Sequence, residues 1–170
     1  MILNNVDLDK VSATIESGKK DKQSLIKPVK LEGEWVFDQS KGYQFKTELA
    51  YEKGKQVIQV DSPSFLGGGG NNLGPMAYCI SGITSCFIGT FAGVAASMGV
   101  KLEKLNVNTK CNVNFAKTFD IADEPIVSGI EFILDVASSD ADKKKLDQID
   151  RKSTRLNSSH SQQSRMPSSA

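Results

Sequence analysis

The sequence predicts an α+β protein with an antiparallel N-terminal strand meander, a long buried central helix, a second strand pair and a C-terminal helix. Three observations carry this reading. Apolar and polar residues alternate in short runs between residues 29 and 61, as they do in half-buried antiparallel strands. Residues 66–100 then hold most of the glycine and no charged side chain, and from Leu105 a second, unusually clean alternation begins. Strands with one apolar face need an apolar partner, and the uncharged stretch supplies it.

Near the N-terminus, Val6, Leu8, Val11 and Ile15 fall close to one helical face, with Asn5 or Asp7 as cap and Gly18 near the end. The KKDKQS segment reads as an exposed link. In residues 29–37, Val29, Leu31, Gly33, Trp35 and Phe37 share a side opposite Lys30, Glu32 and Glu34, which predicts a strand. DQSKG turns the chain, and Tyr43, Phe45, Thr47, Leu49 and Tyr51 alternate with polar neighbours before EKGK turns it again. Residues 56–61 complete the meander. Pro75 suits the first position of a helix, and 76–98 runs as one long helix or as two stacked ones interrupted at Gly89 or Gly93, with Gly99 as terminator. Leu105, Val107, Thr109, Cys111, Val113 and Phe115 then oppose a row of asparagines and a lysine. Cys111 therefore reads as a small buried hydrophobe. Residues 126–136 form the partner strand, and a helix follows with Ser139 or Asp140 as cap.

The formal net charge of +1 conceals a division within the chain. Residues 1–150 hold all 20 acidic side chains and no arginine, and their lysines leave a net charge of about −3. No basic patch emerges, so nucleic-acid binding is not expected. Residues 151–170 hold Arg151, Arg155, Arg165, the single His160 and no acid, and 150–160, DRKSTRLNSSH, reads as the in-frame translation of a sequencing adapter. The organisation expected is thus 1–27 as N-terminal helix and linker, 28–150 as the folded domain with an incomplete C-terminus, and 151–170 as a non-native disordered tail. Three cysteines, Cys79, Cys86 and Cys111, without metal-ligand spacing and without a native histidine exclude a zinc site. No cofactor is expected. The acidic N-terminus lacks a signal peptide pattern, which points to a cytoplasmic protein with reduced thiols.

Residues 73–100 are long enough to cross a bilayer. Ser81, Thr84, Ser85, Gly89, Thr90 and Ser97 lower their hydrophobicity, and the amphipathic strands on both sides need something to pack on, so the stretch reads as core and no membrane is expected. The four glycines at 67–70 do not form a phosphate cradle, because neither Lys-Ser/Thr nor a G-x-G-x-x-G register accompanies them. Cys79 and Cys86 lie two helical turns apart, roughly 10 Å along the axis, too far for a disulfide within one helix.

Taken together, Asp61, Pro63, Gly67 and Gly68, Pro75, and a cysteine eleven residues later in the run Ser85-Cys86-Phe87 resemble the OsmC/Ohr family of osmotically induced and organic hydroperoxide resistance proteins. The run from Ala95 to Val100 continues the likeness, which covers about residues 28–150. The resemblance implies an interlocked homodimer with sheets outside, long helices in the middle and active sites at the dimer interface. It also implies thiol peroxidase chemistry on organic hydroperoxides or hydrogen peroxide, with an external dithiol as reductant. Cys86 aligns with the attacking nucleophile, and Cys79 is a possible accessory thiol. The chain departs from active relatives in having Met76 and Ala77 where they place a glutamate. It also lacks their strand arginine, for which Lys41 or Lys46 supplies only charge. A resolving cysteine in such relatives lies in the C-terminal region that the tail occupies here. The alternative expectation is a dimer of the same fold that binds a hydrophobic ligand or partner without turnover.

Overall fold

The computed structural model of the chain describes residues 1–157. Its contacts divide the chain into two compact units, Asp21–Ser81 and a second made of Met1–Lys20 with the residues from Gly82 onward.

The chain begins with a hairpin of β1 (Ile2–Leu3) and β2 (Val6–Asp7), whose two-residue turn places Asn4 and Asn5 at φ 52° and 61°. Consecutive positive φ angles define the hairpin turn that Asn-Asn tolerates and most residues do not. Sequence periodicity assigns Val6 to the helix instead; the turn chemistry of the two asparagines overrides it. Helix α1 (Leu8–Lys20) follows. Of the two expected caps Asp7 serves, its carboxylate accepting the N–H groups of Asp9 at 3.1 Å and Lys10 at 3.3 Å. The Lys10 bond holds the Asp7 carboxyl below its ordinary range, opposed by slight desolvation. Asn4 also reaches the far side of its unit, donating to the Val100 carbonyl at 2.9 Å and accepting from Leu102 N–H at 2.8 Å.

In Asp21–Ser81 the expected meander is present as an antiparallel sheet in the order β3 (Gly33–Trp35), β4 (Phe45–Tyr51), β5 (Gly54–Val60). Its first strand is shorter than the alternation predicts. Only three residues pair with β4, while Val29 and Phe37, which were expected on the apolar face, are 92% and 89% exposed. Gly33 permits a close crossing, since a Cβ there would overlap the Phe45 ring. The buried Thr47 completes the pairing by donating its hydroxyl to the Glu32 carbonyl at 2.5 Å.

Helix α2 (Pro75–Ser97) is continuous, so Gly89 and Gly93 do not interrupt it. Pro75 opens it as predicted. Gly99 ends it at φ 69°, with Gly99 N–H bonded to the Ala96 carbonyl at 3.0 Å and Val100 N–H to that of Ala95 at 2.9 Å. This is the paired closure that glycine-terminated helices use. Burial is confined to the second half, at Phe87, Phe91, Val94, Ala95 and Ala96. The first half of the long central helix is open to solvent in one chain. Among the described residues α2 is the one helix long and apolar enough to cross a membrane by length and composition.

Strands β6 (Lys104–Val113) and β7 (Val127–Ala137) pair antiparallel, and β6 alternates between half-buried and exposed along its whole length as its sequence does. Helix α3 (Lys143–Leu156) follows, capped by Asp142, which accepts Lys145 N–H at 2.8 Å. The expected caps are otherwise engaged: Asp140 accepts Lys101 N–H and Ser139 bonds Glu103. The core of this unit gathers Phe91, Val94, Ala95, Val100 and Ile149. Phe87 and Phe132 stack beside it, centroids 4.5 Å apart.

The helix passes the composition break at 150. Ser153 and Asn157 are fully or nearly buried, so the disorder expected for 151–170 does not extend to its first seven residues. The remaining residues of that tail, His160 and Arg165 among them, lie outside the described residues.

Candidate functional site: the cysteines of the central helix

In Asp21–Ser81 the loop before α2 is built around the Asp61 carboxylate, which is 2% exposed. It accepts the N–H groups of Gly69 at 3.3 Å and Asn71 at 2.9 Å and the Asn71 side-chain amide at 3.4 Å, while Asp61 N–H donates to the Leu73 carbonyl. Three donors converging on one buried side chain meet its hydrogen-bonding demand. Gly67 and Gly70 turn this loop through φ 83° and 68°, and Gly68 passes so close to Ser62 that a side chain would overlap its carbonyl. The loop ends at Gly74, whose carbonyl accepts Ala77 N–H in the first turn of α2. The residues that carry the family resemblance, Asp61, Gly67, Gly68 and Pro75, therefore form one device that launches the helix.

Cys79 stands in the second turn of α2, exposed, at the wall of an apolar cavity of about 550 Å³ within the same unit. Trp35, Phe45, Leu49, Ile58 and Tyr78 line it, and Tyr78 donates its hydroxyl to the Gln59 carbonyl at 3.1 Å. Met76 and Ala77, in the first turn of α2, provide no carboxylate. Lys41 sits in an exposed turn, and Lys46 is half-buried in β4 opposite Gln59.

Cys86 lies seven residues on, in the other unit, and is exposed. Its thiol donates to Asn157 Oδ1 at 3.3 Å. Its carbonyl accepts the Thr90 hydroxyl at 2.9 Å, and Thr84 meets Thr109 of β6 hydroxyl to hydroxyl at 2.9 Å. These bonds, with the Phe87–Phe132 stack, fix the helix turn that presents the sulfur. Cys111 is half-buried on the inward face of β6. Asn157 escapes sequence reasoning because it falls in the stretch set aside as non-native, and only the helical register of α3 brings it under Cys86. Among the described residues no cluster of His, Cys, Asp or Glu is arranged to hold a metal ion.

A launching loop with a buried carboxylate, one long uncharged helix carrying thiols, and antiparallel strands before and after it define an α+β protein with helix-borne cysteines. Residues 68–159 match the family model described as OsmC-like protein, more than half of the chain, and the chain belongs to that family. Solved structures agree on the fold. An OsmC-like protein of unknown function from Vibrio cholerae matches with a TM-score of 0.60 at 13% identity, covering 84% of this chain and 100% of the other. An OsmC-like protein from Mycoplasma pneumoniae gives 0.55 at 12%, covering 83% and 96%. An organic hydroperoxide resistance protein OsmC from Legionella pneumophila gives 0.53 at 12%, again covering 83% and 96%. No curated protein matches the sequence.

Proposed function

We propose that the protein is a cytoplasmic, homodimeric, cysteine-dependent peroxidase that reduces organic hydroperoxides or hydrogen peroxide, with Cys86 as nucleophile. The observation that carries this is the exposed thiol of Cys86 midway along the launched helix of an OsmC-like chain, eleven residues after Pro75. The Cys86 thiolate attacks one peroxide oxygen, the O–O bond breaks, and the departing alkoxide or hydroxide takes a proton and leaves as alcohol or water. The sulfenic acid then gives a mixed disulfide with one thiol of an external dithiol, releasing water. The second thiol displaces Cys86, so that two electrons pass from dithiol to peroxide. Cys79 serves as an accessory thiol. The homodimer is supported by the open first half of α2 and by the exposed Val29, Leu31 and Phe37.

The test is dithiol-dependent consumption of cumene hydroperoxide and hydrogen peroxide by the purified protein. Turnover abolished by Cys86→Ser and lowered but not abolished by Cys79→Ser is the expected result; turnover that survives Cys86→Ser removes the proposal. A second reading, a dimer that binds a hydrophobic ligand without turnover, is favoured by the apolar cavity beside Cys79 and by the absence of the glutamate at Met76 or Ala77. Selective trapping of a sulfenic acid at Cys86 under mild peroxide counts against it.

A further inference from the structure

Two exposed segments of the chain carry apolar side chains together with opposite charge. From Leu25 to Trp35 every residue is exposed, Ile26 to 66% and Val29 to 92%. β3, at the end of this run, pairs with β4 alone and lies at the edge of its sheet. Across residues 21–31, Lys22, Lys27 and Lys30 outnumber Asp21, a net charge of 3 − 1 = +2. Among the described residues none of these three lysines has an ion-pair partner. The connection between β6 and β7, residues 114–126, is the counterpart. Its acids Asp120, Asp123 and Glu124 outnumber Lys117, a net charge of 1 − 3 = −2, and Phe119 and Ile121 are 50% and 76% exposed. Lys117 pairs with Asp123 at 2.6 Å, so among the described residues Asp120 and Glu124 have no cation. The loop holds its own shape. Phe119 N–H meets the Phe115 carbonyl at 3.1 Å, Ile121 N–H that of Ala116 at 2.9 Å, and the Asn114 amide donates to the Glu124 carboxylate at 2.5 Å. A preformed tip loses little freedom on docking.

We infer that the acidic loop at 114–126 of one copy docks on the lysine-bearing segment at 21–31 of a second copy. This rests on the homodimer reading above and names the surfaces that meet. In a two-fold pair each contact between different patches is made twice, so one chain that carries both patches completes both contacts. Charge complementarity chooses the occupant: +2 with exposed aliphatic side chains faces −2 with an exposed phenylalanine and isoleucine. An anionic bilayer fits the lysines less well, because residues 1–150 carry a net charge of about −3 and such a surface repels the body that bears them.

The experiment is sedimentation velocity on the full chain at low salt, with charge reversals on each surface. Lys27→Glu/Lys30→Glu makes both contacts repulsive and is expected to raise the dimer dissociation constant at least about tenfold. Asp123→Lys/Glu124→Lys, which spares Asp120 and its φ of 55°, is expected to do the same from the other side. Mixed in equal amounts, the two variants should associate as tightly as the parent. In that heterodimer the reversed segment faces the reversed loop, and the native segment faces the native loop. Recovery on mixing also shows that both variants are folded, and it identifies a contact between copies rather than within one. If the parent dimerises and the reversals leave its dissociation constant unchanged, the inference is overturned and the homodimer reading stands. Weakening that mixing does not repair overturns it as well. A monomeric parent removes the homodimer reading itself, and capture of that monomer by phosphatidylserine vesicles, lost in Lys27→Glu/Lys30→Glu, makes a lipid surface the occupant instead.

Discussion

Asp61 and Asn71 are bonded twice, the carboxylate accepting the backbone N–H at 2.9 Å and the side-chain amide at 3.4 Å. With Gly69 as third donor, the pair turns the residues before α2 into a fixed launch. Asp61→Asn keeps the shape and replaces one acceptor oxygen by a donor that faces other donors. The expected cost is about 2 kcal/mol, the penalty for leaving buried N–H groups without an acceptor. Urea unfolding reads it, and a midpoint that does not move would mean the loop is held by something else.

Gly68 and Gly67 separate two reasons for glycine. At Gly68 a methyl group meets the Ser62 backbone, which cannot step aside, whereas at Gly67 nothing stands nearby and the demand is φ 83° alone. Gly68→Ala is therefore expected to cost about 3 kcal/mol or to prevent folding, and Gly67→Ala about 1 kcal/mol. Equal losses in thermal melts would show that the close approach of Gly68 to Ser62 relaxes at little cost.

The stack of Phe87 on Phe132 ties the helix turn beside Cys86 to β7, both rings being 1–2% exposed and inclined by 14°. Phe132→Ala opens a cavity under that turn and is expected to cost about 3–5 kcal/mol. Because the rings share one contact, Phe87→Ala in the Phe132→Ala background should cost less than it does alone. Strictly additive losses in denaturant titrations would deny the coupling.

The residues most legible in advance are those whose neighbours in sequence decide their conformation. Pro75 and Gly99 bound α2 where turn and cap chemistry place them, and the strict alternation of β6 reappears as alternating burial. Val29 and Phe37 illustrate the limit. Their alternation predicts an inward face, but only three residues of the run find hydrogen-bond partners, and the inward side chains stand in water in the single chain. Asp142 as cap and Asn157 as partner of Cys86 were beyond reach for a different reason: each depends on the register of a helix whose start the sequence leaves open among several polar residues. At the site, the position of Cys86 is local and legible, whereas its partner lies 71 residues away.

Phe37, at 89% exposure, tests the proposed homodimer. Phe37→Asp removes an apolar ring that touches little in the single chain and places a charge where the partner would lie. Sedimentation velocity is expected to show a dimer for the parent and a shift toward monomer for the variant. Retention of the parent oligomer would place the interface elsewhere on the chain.

Asp150 sits on the inner side of α3 with one carboxylate oxygen buried and, among the described residues, without a hydrogen-bond partner. Desolvation raises its pKa above the ordinary 3.8, the nearby Asp147 adds to the rise, and Arg151 opposes it. A carboxyl whose pKa is higher in the folded state favours folding where it is protonated, and that contribution fades as pH rises through the folded value. At neutral pH the charged group is therefore a burden, tempered by its partial contact with water. Asp150→Asn removes the charge and retains the size, and should raise the melting temperature at pH 7 by roughly 2–4 °C, equivalent to about 1 kcal/mol in a chain of this length. Below about pH 3, where Asp150 is largely protonated in both folded and unfolded states, the two proteins should melt together. A gain that persists unchanged at acid pH would trace to packing rather than to the charge, and a loss at neutral pH would mean that the carboxylate has a partner the hydrogen bonds do not include.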